Sequence, residues 1–524
     1  MDDRPLAGRG ARFALATPHA WATEAGLAAF DAGGNAIDAA LAAATTLAVV
    51  YPHMCGVGGD LFALVQEPDG RTIALNASGA APSGIDPDRI RRRHGGMPTH
   101  GPLTITVPGA VSGWAVLAER WSRLGLARAL EPAIAAAREG VPVARSLAAS
   151  LAEGEERLRA DPGLAAVFFP DGPLADGELL ADQALAGTLE ALRERGPSAL
   201  YGGPVGARLV EGLRALGSPM TLDDLARHEP ELDSPLAGRY RDLHVRVVPP
   251  NSQGFVLLEI LAAVELLGID PDPLGPDAPA LAEVFAATAA DRDRHNADPR
   301  HARVPVGDLL DEGHLAGLVE QVRERLCGGP VGRPSGDTIA LVAADADGWA
   351  ISLIQSLYDG FGAGIREPET GIVCHNRGSA FALDPGHPNA LAGGKRPAHT
   401  LMPALVHRDG RLAAVSGSMG GGAQPQINAM SILRAFDLGQ DVGEVLAAPR
   451  WLVGGMELNA GRSVEVESRV PTSVVGALAD AGFEPRILEP FDEGVGHAQL
   501  VRVADDGSFE VATDPRADGA VAVS

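Results

Sequence analysis

The chain has 524 residues, 46% of them hydrophobic, enough for a large core and for two structural lobes. Its formal net charge of −25 opposes binding to nucleic acid or to an anionic membrane surface, so neither is expected as a partner. Three cysteines, Cys55, Cys327 and Cys374, form no CxxC pair, and the amino-terminal MDDRPLAGRG lacks an apolar leader pattern; a cytoplasmic protein without a disulfide framework is expected.

Thr17-Pro18 reads as an N-cap with proline at the first helical position, opening a helix that stops at Gly33-Gly34. Asn35 caps a second helix, AIDAALAAATTLAVV, with Asp38 in its first turn. That helix is apolar nearly all round and should be buried, and it is too short to cross a bilayer. A glycine-rich turn follows, then two strands around Pro68-Asp69-Gly70. From about residue 105 to 325 the pattern is mostly helical, with HVRVVPPNSQG as a strand and turn. The stretch from about Cys327 to Asp337 is the best interior loop. Beyond it strand-like runs dominate: TIALVAADADGWAISLIQS, GIVCHN and TLMPALVHRDGRLAAVSGS. One helix, PQINAMSILRAFDLG, follows a glycine run. A helix-rich first part and a strand-rich second part predict an α+β layered fold and not alternating βαβ units.

The loop-to-strand join at Asp337–Thr338 admits two readings. Threonine commonly starts a strand. Alternatively, the chain is cut there and Thr338 becomes an amino terminus. Asp347-Gly348 is a turn signal, and a hairpin centred near 347 sets Thr338 opposite residues 355–357, with Ser356 as its neighbour. A terminal threonine could use its own α-amine, with an ordinary pKa of about 7.7–8.0, to take the hydroxyl proton. GSMGGGAQPQ offers the bare backbone N–H groups of Gly420 and Gly421 to an oxyanion. Alone, these signals are weak, and an ordinary hairpin and a glycine-rich turn account for them better.

Read together, the motifs resemble the γ-glutamyltranspeptidase family of N-terminal-nucleophile hydrolases along nearly the full length. The blocks are GGNAIDAALAAATTLAVVYPHMCGVGGDLF, VPGAVSGW, VPPNSQGF, GDTIALVAADADG, KRPAHTLMP, GSMGG and APRW, in the family's order. The resemblance implies a four-layer αββα sandwich without metal or organic cofactor. It implies a precursor that cuts itself between Asp337 and Thr338 into a large subunit, 1–337, and a small one, 338–524. The two would remain one αβ heterodimer, with a dimer of heterodimers left open. By position, Thr338 is the nucleophile, Ser356 the second hydroxyl, and Gly420 and Gly421 the oxyanion pair.

The substrate positions depart from the transpeptidase pattern. Ser78 stands where those enzymes keep the arginine that grips a glutamyl carboxylate, and His399 and Thr400 replace two serines that share it. The residues that hold the α-amine are replaced by Tyr358, Arg377 and Ala380. HNRGSAF with PAHTLMP is similar to a branch that includes an oxamate amidohydrolase. A guanidinium at 377 could clamp a carboxylate bidentately, so a small acid amide is the expected substrate. The alternatives are a γ-glutamyl hydrolase or transferase with a rebuilt clamp, an acylase or C–C hydrolase, and a silent binding protein. His375 and Asp60 read as structural and Cys374 as core. No GxSxG or zinc-binding motif is present.

Overall fold

The computed structural model describes residues 6–325, 337–456 and 462–524. The loop expected from about Cys327 to Asp337 lies outside them except at Asp337. Two seven-stranded antiparallel sheets dominate. The first runs, edge to edge, Ala520–Val523, Phe13–Thr17, Asp337–Asp345, Ala350–Tyr358, Asp60–Gln66, Thr72–Ala77 and Glu231–Asp233. The second runs Ala7–Gly10, Phe509–Thr513, Ala498–Val503, Arg411–Ser418, Ala404–Arg408, Leu243–Val247 and Leu236–Tyr240.

The period of two along each strand sorts side chains into layers. Ile339, Leu341 and Ala343 face outward, where they pack with Leu61, Ala63 and the wholly buried helix Ala36–Val50. Ala340, Val342 and Ala344 face inward and meet Phe62, Leu64, Leu405, Val415 and Val501 from both sheets. Outside the second sheet, Val245, Ala404 and Leu500 pack on the helices Gly254–Leu267, Ala278–His295 and Gln424–Ile432. The result is the expected α+β sandwich of four layers.

Asn35 caps its helix in a full capping box with Asp38. Thr17, expected as an N-cap, instead ends the strand Phe13–Thr17, which is paired on both sides. His19 caps the following helix, Ala20–Asp31, by accepting from the Trp21 amide. The mostly helical span from 105 to 325 also holds the strands Glu231–Asp233, which pairs with the distant Thr72–Ala77, and Leu236–Tyr240, which forms a local hairpin with Leu243–Val247. GIVCHN is not a ladder strand; it makes isolated bridges, Arg366 with Val373 and Gly58 with Cys374. The PQINAMSILRAFDLG helix ends in a π-helical turn at Leu433–Asp437.

Candidate active site

The hairpin Asp337–Asp345/Ala350–Tyr358 folds about residue 347, with Ala344 opposite Ala350 and Ile339 opposite Gln355. A register shift falls between Asp337 and Ile339. Thr338 shares the inward parity of Ala340 and Val342, and its Oγ1 lies 3.0 Å from Ser356 Oγ. Both residues are buried, at 1% exposure. On the next strand Ser356 pairs directly with Asp60. The pairing of Leu61 with Ala77 then carries the line to Ser78, just past the strand end. Thr338, Ser356, Asp60 and Ser78 therefore form one polar row across the first sheet.

Asp60 organises the middle of that row. Its Oδ1 accepts from the Gly79 amide at 3.1 Å, and its Oδ2 lies 3.2 Å from His399 Nε2 and 3.4 Å from His375 Nδ1. His399 Nδ1 accepts from the Leu401 amide, so Nε2 carries the hydrogen and donates to Asp60. Burial, aided by the nearby Arg377 charge, lowers the His399 pKa to about 3 and keeps the ring neutral. Burial alone would raise the Asp60 pKa, but contact with His375 and His399 outweighs it and holds the carboxyl below its usual range. From sequence Asp60 reads as merely structural. Its only signal was its position after Gly58-Gly59, and nothing local shows that His375 and His399 converge on it.

Arg377 opens a short 3₁₀ turn, Arg377–Ala380, and is buried at 1% exposure. Its guanidinium carbon sits 3.8 Å from the centre of the Tyr358 ring, and Nη2 donates to Thr400 Oγ1 at 3.2 Å. Nη1 is buried and has no hydrogen-bond partner among the described residues, and no described carboxylate forms an ion pair with this arginine. Tyr358 holds the left-handed conformation, φ 81°, and its amide donates to Ser356 Oγ at 2.8 Å. A line of contacts thus runs from Arg377 through Tyr358 to Ser356 and Thr338. Ala380 follows on the same turn, its carbonyl accepting from Asn389 Nδ2.

The glycine run approaches from the second sheet. Ser352 Oγ donates to Ser416 O, and a Cβ on Gly417 would lie 3.3 Å from Ala340, so the strand Arg411–Ser418 advances toward the Thr338 end of the hairpin. Gly420 and Gly421 follow, with φ of 149° and 50°, values suited to glycine. The amides of the next two residues are bonded, Gly422 N to Met456 O and Ala423 N to Gly420 O. Among the described residues no acceptor meets the amides of Gly420 or Gly421. Gln253, which the sequence reading assigned no role, clamps this turn: its Nε2 donates to Gly421 O at 2.9 Å and to Thr400 O at 2.8 Å.

Ser78 Oγ donates to Asn76 Oδ1 at 2.7 Å and accepts from Asn251 Nδ2 at 3.3 Å. Beside it is a cavity of about 240 Å³ lined by Val107, His228, Arg300 and Arg396. Cys55 and Cys374 are buried thiols; burial pushes the Cys55 pKa up to about 12 and Cys374 higher still, so neither is a nucleophile.

The buried histidines predict an acid limit. Burial lowers the pKa of His53 and His399 to about 3, and of His228, His407 and His497 to about 4. Unfolded, each binds a proton near 6.5, so the unfolded state takes up protons first as pH falls. Their contribution is complete above about pH 6.5 and is lost toward pH 3–4, at up to about 1.4 kcal/mol per pH unit for each group. Urea midpoints at pH 7, 5.5 and 4.5 should fall steadily, and His399→Gln should reduce the slope. An unchanged slope would mean that His399 binds its proton as readily in the folded chain as in the unfolded one.

The gamma-glutamyltranspeptidase profile matches residues 22–524. An oxamate amidohydrolase proenzyme from Klebsiella pneumoniae is 40% identical, covering 96% of this chain and 97% of its own. A glutathione hydrolase proenzyme from Escherichia coli is 29% identical, covering 96% and 90%. The crystal structure of a cephalosporin acylase from Bacillus halodurans superposes with a TM-score of 0.91 at 32% identity, covering 100% of this chain and 98% of that one.

Proposed function

The chain belongs to the gamma-glutamyltranspeptidase family, and from that premise we propose that Thr338, freed by self-cleavage after Asp337, hydrolyses a small carboxylate-bearing amide, with oxamate the leading substrate. As a family member the protein is an N-terminal-nucleophile hydrolase that works through an acyl-enzyme. No helix among the described residues is long and apolar enough to cross a membrane.

In the precursor, Thr338 Oγ1 attacks the Asp337 carbonyl carbon. The peptide C–N bond breaks as an ester forms, and water hydrolyses that ester. In the mature enzyme the α-amine of Thr338 takes the hydroxyl proton while Oγ1 attacks the amide carbon. The amides of Gly420 and Gly421 receive the developing oxyanion, and Ser356 holds the nucleophile in place. The C–N bond then breaks, and the proton leaves with the nitrogen as ammonia. Water, deprotonated by the same amine, cleaves the ester and releases the diacid.

One observation carries the substrate class. Arg377 is a buried cation that forms no ion pair with a carboxylate among the described residues, two contacts from Ser356. Such a charge is costly until an anion meets it. A substrate carboxylate would do so, whereas a fixed positive charge repels the ammonium of a glutamyl group. The test is ammonia release from oxamate and longer amic acids, set against hydrolysis of γ-glutamyl-p-nitroanilide. The short amic acids should be preferred by orders of magnitude; efficient γ-glutamyl turnover would mean that the glutamyl clamp has been rebuilt from other residues.

A further inference from the structure

Glu259 lies on the helix Gly254–Leu267, Asp291 on Ala278–His295 and His314 on Glu312–Arg325, outside the second sheet and so in a different layer from Thr338. Glu259 is fully buried, and neither of its carboxylate oxygens has a hydrogen-bond partner among the described residues. Its Oε1 points at His314 Nε2, 3.8 Å away, and the same Nε2 lies 2.9 Å from Asp291 Oδ2. One donor atom from each residue fits within 4.8 Å of the others. We propose that Glu259, Asp291 and His314 form a binding site for a divalent transition-metal ion of the zinc class, which ties these three helices together.

A buried carboxylate without a donor is costly to keep charged and needs a counter-charge. Among the described residues no lysine or arginine forms an ion pair with Glu259, and a divalent cation supplies that charge. Two carboxylates and an imidazole suit zinc, manganese or nickel, whereas magnesium and calcium favour all-oxygen sites. Tetrahedral bonds of about 2.0–2.1 Å put donor atoms about 3.3 Å apart, a spacing bracketed by the 2.9 and 3.8 Å contacts here. Side-chain rotation of Asp291, which is 14% exposed, can close the remaining gap. The His314 side chain is 32% exposed, which leaves a path for a hydrated ion and an open position for water.

The full chain, dialysed against chelator and then metal-free buffer, is mixed with zinc chloride, gel-filtered and assayed for bound zinc. One equivalent per chain should be retained, with a melting temperature about 2–4 °C higher than that of the stripped protein. His314→Ala and Glu259→Gln should each lose that equivalent, weaken zinc binding at least about tenfold and abolish the thermal shift. If the parent retains no zinc, or both variants retain as much as the parent, the site does not exist. If Glu259→Gln melts higher than a parent that holds no zinc, a proton neutralises Glu259 and the proposal fails.

Discussion

Thr338→Ala is expected to remain a single polypeptide on denaturing electrophoresis, while the parent separates into fragments of residues 1–337 and 338–524. The smaller should give the amino-terminal sequence Thr-Ile-Ala-Leu. The substitution removes one buried hydroxyl and one methyl from a site already enclosed, so folding should survive and only chemistry should be lost. The hydroxyl is 3.0 Å from Ser356 Oγ, within reach for proton hand-over. Thr338→Ser keeps the oxygen and should still process, more slowly because the β-methyl that limits rotation is gone. Ser356→Ala should slow processing without moving the cut. Cleavage of Thr338→Ala at the same bond, or a small fragment with any other start, would remove Thr338 from the role of nucleophile.

Replacing Arg377 with alanine or methionine should reduce kcat/KM for oxamate by about 30- to 5,000-fold, the cost of about 2–5 kcal/mol that follows from truncating one partner of a buried charge pair. Turnover of a neutral amide of similar size should change little. Arg377→Lys keeps the charge but loses the planar fork and the stacking on Tyr358, so it should recover only part of the rate. Stability gives a second readout. No described carboxylate forms an ion pair with the guanidinium, and burial outweighs the more distant Asp60 and Asp359 charges, so it is desolvated without full compensation. Arg377→Met should therefore melt no lower than the parent while losing amic-acid activity. Equal losses on acidic and neutral amides would show that Arg377 holds the site's shape instead of binding a carboxylate.

The placement of Ser356 beside Thr338 in the candidate site was legible because this pair is local. A turn at Asp347-Gly348 and a period of two suffice to put Ser356 beside Thr338, and both follow from eighteen residues of chain. Asn35 and Asp38 were legible for the same reason, a capping box being complete within four residues. What escaped depends on contacts across hundreds of residues. Asp60 gains its meaning only when His399 arrives from 339 positions away. Gln253 reaches Gly421 across 168. Thr17-Pro18 has the chemistry of a helix start, yet pairing of Phe13–Thr17 with the distant strands Asp337–Asp345 and Ala520–Val523 overrides that local preference. The resemblance supplied the layered architecture, but not the order of strands within either sheet.

That order sets how the protein behaves once cut. Divided at residue 338, the first sheet has three ladders joining strands from opposite sides of the division, and the second sheet has two. The strand Phe13–Thr17 is sandwiched between Ala520–Val523 and Asp337–Asp345. Neither piece can leave without dismantling both sheets, so dissociation and unfolding become a single event. The mature heterodimer should melt in one transition with no separate dissociation step, and because that step releases two chains its midpoint should fall on dilution, whereas the uncut precursor's should not. Its halves, made separately, should each lack partners for their central strands and aggregate through the exposed edges. Translation as one chain is then the assembly step: covalent linkage holds the strands at high effective concentration until the sheets close, and it is dispensable afterwards.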